Sequence, residues 1–123
     1  MTFCTAISCM DGRIQLPVIR YLQKRFNSEY VDMITEAGIN KVLAEEINTS
    51  QIHSIINRVK ISVDIHKSKS IAIIGHHDCA RNPIPKKEQV IQIKKAMDFL
   101  KQNYNNCEII GLWVDENWEV NEI

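Results

Sequence analysis

The sequence predicts an α/β fold: an open, mainly parallel sheet of four strands, helices on both faces, and a short antiparallel edge strand at the end. Three observations carry this. Apolar runs and amphipathic stretches alternate along the chain as strand, helix, strand, helix, strand, helix, strand. The run Ile71-Ala-Ile-Ile-Gly75 is apolar without alternation, as in a parallel strand covered on both faces. The segments richest in chemistry, 9–13 and 76–79, directly follow apolar runs, where open parallel sheets build their sites.

Residues 2–9 read as the first buried strand, with Phe3, Cys4, Ala6 and Ile7 among β-tolerant Thr and Ser. Met10-Asp11-Gly12 breaks it, and Gly12 is expected to take backbone angles closed to other residues. A helix then starts at Leu16 or Pro17, with Val18, Leu22 and Phe26 as its apolar stripe beside Ile19 and Tyr21. Residues 30–35 form the second strand, 36–40 a turn and 41–46 a short helix. Asn48 or Thr49 caps the next helix, which buries Ile52, Ile55, Ile56, Val59 and Val63 and ends near His66. After a polar loop at 67–70 comes the strand 71–75, then a loop at 76–85 punctuated by Asn82-Pro83 and Pro85. A long helix over 88–104 turns Val90, Ile93, Ala96, Met97 and Leu100 inward. Residues 107–114 are the fourth strand, 115–117 a turn, and Trp118-Glu-Val120 the antiparallel edge strand.

A chain of 123 residues without a visible linker or repeat is expected to be one domain, 1–123. Fifteen basic and fifteen acidic side chains cancel, which gives no indication of a basic stripe for nucleic acid and is compatible with oligomerisation. No apolar run approaches the ~20 residues of a membrane helix, and residues 1–9 do not resemble a signal peptide. The expectation is therefore a cytoplasmic protein with reduced thiols. Its cysteines Cys4, Cys9, Cys79 and Cys107 then have metal or core roles rather than a disulfide framework.

Cys9, His76 and Cys79 form a Cys₂His set, three protein ligands for zinc with one position left for water. The His-x-x-Cys spacing lets one loop supply two of them. Two thiolates neutralise the divalent charge, so a bound water is less acidified than at an all-histidine site. Asp11 beside the open position can accept a proton from the bound nucleophile and aim it at substrate. Arg13 is the clamp that keeps Asp11 from ligating. His77 and Asp78 are candidates for proton transfer, His77 equally for a plain loop residue. Cys4 and Cys107, inside apolar runs, read as core; His53 and His66 as solvated; Trp113 and Trp118 as packing at the sheet edge or a subunit contact; Tyr21 as core.

Cys9-Met-Asp11-Gly-Arg13 followed by His76-His-Asp-Cys79 resembles the metal signature of the β-class carbonic anhydrases, Cys-x-Asp-x-Arg and then His-x-x-Cys. Ala37-Gly38 resembles that family's turn after the second strand, and Gly111-Leu-Trp-Val-Asp115 its last core strand. The resemblance implies a β-carbonic anhydrase-like sheet, a Zn²⁺ cofactor, a homodimer or homotetramer, and hydration of carbon dioxide to bicarbonate by a zinc-bound hydroxide. The sequence departs from the family at Thr35-Glu36, where Arg-Asn is usual, and at Ala80, where glycine is usual. Those departures leave two other readings: a zinc hydrolase of carbonyl sulfide or carbon disulfide, and a catalytically silent zinc protein. An Asp11–Arg13 pair of purely structural use, and a free dithiol with redox chemistry, are the blander alternatives.

Overall fold

The computed structural model describes residues 2–123. Strands β1 (Phe3–Ser8), β2 (Tyr30–Thr35), β3 (Ser70–His76), β4 (Glu108–Val114) and β5 (Val120–Glu122) form one sheet in the order β2-β1-β3-β4-β5. All pairings are parallel except β4 with β5. The helices are α1 (Gln15–Arg25), α2 (Ile39–Glu45), α3 (Thr49–Lys60), continued by a π-helical turn (Ile61–Ile65), and α4 (Lys86–Asn103).

Handedness explains how the helices divide. A right-handed crossover from β1 outward to β2 places α1 on one face. The crossovers β2 to β3 and β3 to β4 run the opposite way across the sheet, so α2, α3 and α4 fall on the other. The core is accordingly double. Val18 and Leu22 of α1 pack with Cys4, Ala6, Ala72, Ile74, Ile110 and Leu112. Leu43, Ile55, Val59, Ile93, Ala96 and Leu100 pack with Ile7, Ile34, Ile71, Ile73 and Ile109. Every residue of β3 beyond Ser70 is buried, as a strand covered on both sides requires.

The α3 cap is as expected: Asn48 accepts the Gln51 N–H at 3.0 Å. The π-turn that follows is latched by buried hydroxyls, Thr5 Oγ1 lying 2.6 Å from Ser62 Oγ and 2.8 Å from Ser68 Oγ. His66 is not the solvated residue the sequence implies. Its Nδ1 lies 2.7 Å from Asp32 Oδ2, and its ring stacks on Phe3 at 4.3 Å. Helices α1, α2 and α4 each begin one or two residues earlier than their hydrophobic stripes indicate. On α4 the buried stripe is Gln89, Ile93, Ala96, Leu100, with Val90 only half-buried.

The edge strand is displaced to Val120–Glu122 because the turn before it is longer than expected. Asp115 Oδ1 accepts the N–H groups of Asn117 (2.9 Å) and Glu119 (3.0 Å), and the Trp118 N–H donates to the Asp115 carbonyl. This closes the chain through 119 and leaves Trp118 inside the turn with φ +60°. Beyond it, Arg25 Nε donates to Glu122 Oε1 at 2.8 Å and ties β5 to α1.

The glycine expectation also moves. Gly12 does not have a positive φ, and a Cβ there would meet nothing within 4 Å. Gly38, just before α2, has φ +63°, and a Cβ there would stand 3.1 Å from the Arg81 carbonyl oxygen. Gly38→Ala should lower the unfolding free energy by about 1–2 kcal/mol in urea titrations, whereas Gly12→Ala should stay within about 0.5 kcal/mol.

The Arg25 guanidinium holds the Glu122 carboxyl below its ordinary range, so this tie is at full strength above the usual glutamate pKa and fades as pH falls through the lower folded value. An NMR titration should place Glu122 below ~4.3, the unperturbed value, and move it back up in Arg25→Ala.

Candidate metal centre

The strand order reverses between β1 and β3: the chain leaves β1 toward one edge of the sheet and β3 toward the other. Loops diverge at such a point and leave a crevice beyond the carboxyl ends of the two strands. The parallel register Ile7↔Ile73 puts the ends of β1 and β3 side by side. Cys9 is the first residue after β1, His76 the last of β3, and Cys79 stands three further into the loop. Cys9 Sγ and Cys79 Sγ are 3.9 Å apart, and one ligand atom from each of the three residues lies within 4.8 Å of the others. All three side chains are buried.

The donors are prepared for a cation. His76 Nδ1 lies 2.8 Å from the His77 carbonyl oxygen, which only accepts, so Nδ1 carries the proton and Nε2 presents a lone pair. That Nε2 is buried and has no hydrogen-bond partner. A buried acceptor left unmade costs on the order of 1–3 kcal/mol, which a metal in contact with it would offset. The sulfur separation matches the ~3.8 Å edge of a tetrahedron with Zn–S bonds near 2.3 Å. The Cys79 thiol beside Cys9 pulls the Cys9 thiol far below its ordinary range, against the opposing effect of burial. Cys79 is pushed upward by the same neighbour and by burial. The two sulfurs, distant in sequence, are close in space, and the unpartnered histidine nitrogen beside them favours metal chemistry over a free dithiol.

Asp11 and Arg13 pair as the sequence indicates. Arg13 donates Nε to Asp11 Oδ1 (3.0 Å) and Nη2 to Asp11 Oδ2 (2.7 Å), a two-pronged contact, and its N–H also reaches Oδ1 (2.9 Å). The Arg13 guanidinium lowers the Asp11 carboxyl to about 2. Gln15 Nε2 donates to the carbonyls of Cys9 and Asp11 and fixes the loop between them. Asp78, a candidate for proton transfer, instead contacts Arg13: its Oδ2 lies 3.2 Å from Nη1 and its carbonyl 3.0 Å from Nη2. His77 is exposed, with its ring edge-on to Trp118.

Two buried amides behind the ligands escape a search for chemistry-bearing motifs. Gln89 accepts the His76 N–H through Oε1 (3.3 Å) and donates Nε2 to the His76 carbonyl (2.9 Å), gripping the ligand's backbone from α4. Asn40 Nδ2 donates to the Ile74 carbonyl (2.9 Å). The readable signal is a polar residue inside a helix's buried stripe: Gln89 is spaced with Ile93, Ala96 and Leu100. These amides line a residual cavity of about 10 Å³ with Cys9, His76 and Cys79, room for about one water. A far larger groove of about 730 Å³ between α3 and α4 touches none of the site residues.

The whole chain, residues 1–123, matches the family model described as "Putative carbonic anhydrase". No curated protein matches it significantly. Among solved structures it is similar to the β-carbonic anhydrase CafA of Aspergillus fumigatus, at 14% identity over 98% of this chain and 74% of that one, with a TM-score of 0.57. It is also similar to one of two tetrameric β-carbonic anhydrases from Sordaria macrospora, at 16% identity over 98% and 79%, with a TM-score of 0.53. At these identities the structural likeness establishes the fold. Among the described residues, no helix is long and apolar enough to cross a membrane.

Gln89→Leu removes both side-chain bonds to the His76 backbone and should destabilise the metal-free protein by roughly 1–3 kcal/mol in chemical denaturation.

Proposed function

This chain belongs to the carbonic anhydrase family, and on that premise we propose that it is a zinc-dependent lyase that interconverts carbon dioxide and bicarbonate. The observation that carries the reading is the unpartnered Nε2 of His76 facing the Cys9 and Cys79 sulfurs, with Asp11 held by Arg13 two residues from the first thiol. Zinc in this cradle supplies Lewis-acid activation of the attacking water.

The chain's own groups do the rest. Cys9, His76 and Cys79 would hold the ion, three of the four ligands a zinc site uses. His77, through its carbonyl, fixes the His76 tautomer. Asp11 accepts the hydrogen bond of the attacking water and so orients it toward carbon dioxide. Arg13 occupies both carboxylate oxygens from the other side, which keeps Asp11 an acceptor rather than a ligand. The unit at work is one domain, 1–123, assembled as a homodimer or homotetramer in the cytoplasm. Its zero net charge favours association, and one solved neighbour is described as tetrameric.

Hydrolysis of carbonyl sulfide or carbon disulfide is the second reading. It is favoured by the departure at Glu36, which lines a cleft of about 360 Å³ with Arg81, the residue after Ala80, and that cleft meets the thiol cavity at Gly38. Glu36 is paired with Arg58 at 2.6 Å.

Stopped-flow measurements on zinc-loaded protein decide between them. Carbon dioxide hydration should exceed the buffer rate and rise toward alkaline pH. Asp11→Ala should reduce it by roughly 10–100-fold, the usual loss for a group that orients a metal's ligand. Turnover of carbonyl sulfide alone would select the second reading, and turnover of neither would contradict both.

A further inference from the structure

The turn between β4 and β5 places an aromatic ring against the one cation of the candidate site. Arg13 Cζ stands 4.5 Å from the Trp118 ring centroid, the geometry of a cation–π contact. Trp118 makes this contact from a backbone with φ +60°, a conformation that disfavours a bulky side chain. Asp115 holds the turn in that shape through the N–H groups of Asn117 and Glu119, and through the Asn121 amide at 3.2 Å. The indole also rests on the apolar cluster of the α1 face, so its position is fixed from below.

Around Arg13 the contacts are complementary. Asp11 takes Nε and Nη2, and Asp78 takes Nη1 through Oδ2 and Nη2 through its carbonyl. These bonds occupy the edges of the guanidinium, and Trp118 occupies a face. The Arg13 side chain is nonetheless 43% exposed. An exposed ion pair alone holds a long side chain weakly, because water competes for it and the ordering costs entropy. A ring over one face removes that competition and narrows the rotamers.

From this geometry we infer that Trp118 is a positioning residue. It pins Arg13 in the orientation that engages both oxygens of Asp11, and so keeps that carboxylate from closing on the metal. The inference rests on the zinc reading above for its consequence, but the pin itself exists without metal. A merely structural role for Trp118 would be to cover the apolar cluster of the α1 face.

Two readouts separate these roles. In metal-free protein, the Arg13 Nε–H should give a ring-shifted, slowly exchanging NMR signal. Trp118→Leu should abolish the shift and accelerate exchange, and Trp118→Phe should fall between. In cobalt-loaded protein, thiocyanate binding followed by the visible bands should weaken about five- to thirtyfold in Trp118→Leu, as Asp11 competes for the open corner, and be partly restored in Trp118→Phe. An unchanged Arg13 signal in Trp118→Leu would overturn the pin. Unchanged thiocyanate affinity with normal thiolate–cobalt bands would overturn its role toward Asp11. Absence of those bands in the wild type would overturn the metal reading and this role with it, while the Arg13 signal still decides the pin. Should Trp118→Leu fail to fold, faster Arg13 exchange in Trp118→Phe supports the pin, and wild-type exchange overturns it.

Discussion

The parallel pairing of β1 with β3 is the constraint on which the site depends. Sixty-six residues separate Cys9 from His76 in sequence, and only adjacent, co-directional strands bring their ends together. The pairing is possible because β1 feeds α1 on one face while β3 feeds α4 on the other. Its strength comes from burial: Ala6, Ile7, Ala72 and Ile73 are fully removed from water at the pairing. The loops that carry the thiols therefore leave, and the imidazole stands on, strand ends fixed in a fully buried core.

Around that core, the polar groups divide into those that hold and those that face outward. Gln89 grips both backbone groups of His76, the His77 carbonyl sets its ring, and Gln15 ties Cys9 to Asp11. None of these groups needs to touch a substrate. They fix the ligands and leave Nε2 of His76 buried and without a hydrogen-bond partner. On the outer side, Asp11, Arg13, Asp78 and Trp118 form a half-exposed layer in which a carboxylate is occupied by a guanidinium and the guanidinium by an indole. The first group shapes a pocket that could hold a cation, and the second is the layer that, in the proposed function, would keep one side of that cation free.

Much of this is legible in the sequence because it rests on periodicity and short motifs. The strands at 30–35 and 71–75, the Asn48 cap and the Asp11–Arg13 pair follow from residue patterns whose physics is local. What escapes depends on distant partners. The turn at 115–119 is set by one aspartate accepting several N–H groups, so β5 begins at Val120 and Trp118 turns toward Arg13. His66 is engaged because a π-turn, latched by Thr5 of another element, carries it onto Phe3 and Asp32. Gly38, not Gly12, needs its glycine because Arg81 crosses above it. Gln89 stands in a helical stripe that hydrophobicity alone would fill with Val90.

The central claim, that two distant loops make one sulfur-rich metal site with a free corner, is tested most directly by X-ray absorption at the zinc edge of the purified protein. The account predicts one zinc per chain bound by two sulfurs, one imidazole nitrogen and one light atom, with the sulfur contribution reduced by half in Cys9→Ser and in Cys79→Ser. A first shell without sulfur, or one unaltered by either substitution, would contradict it.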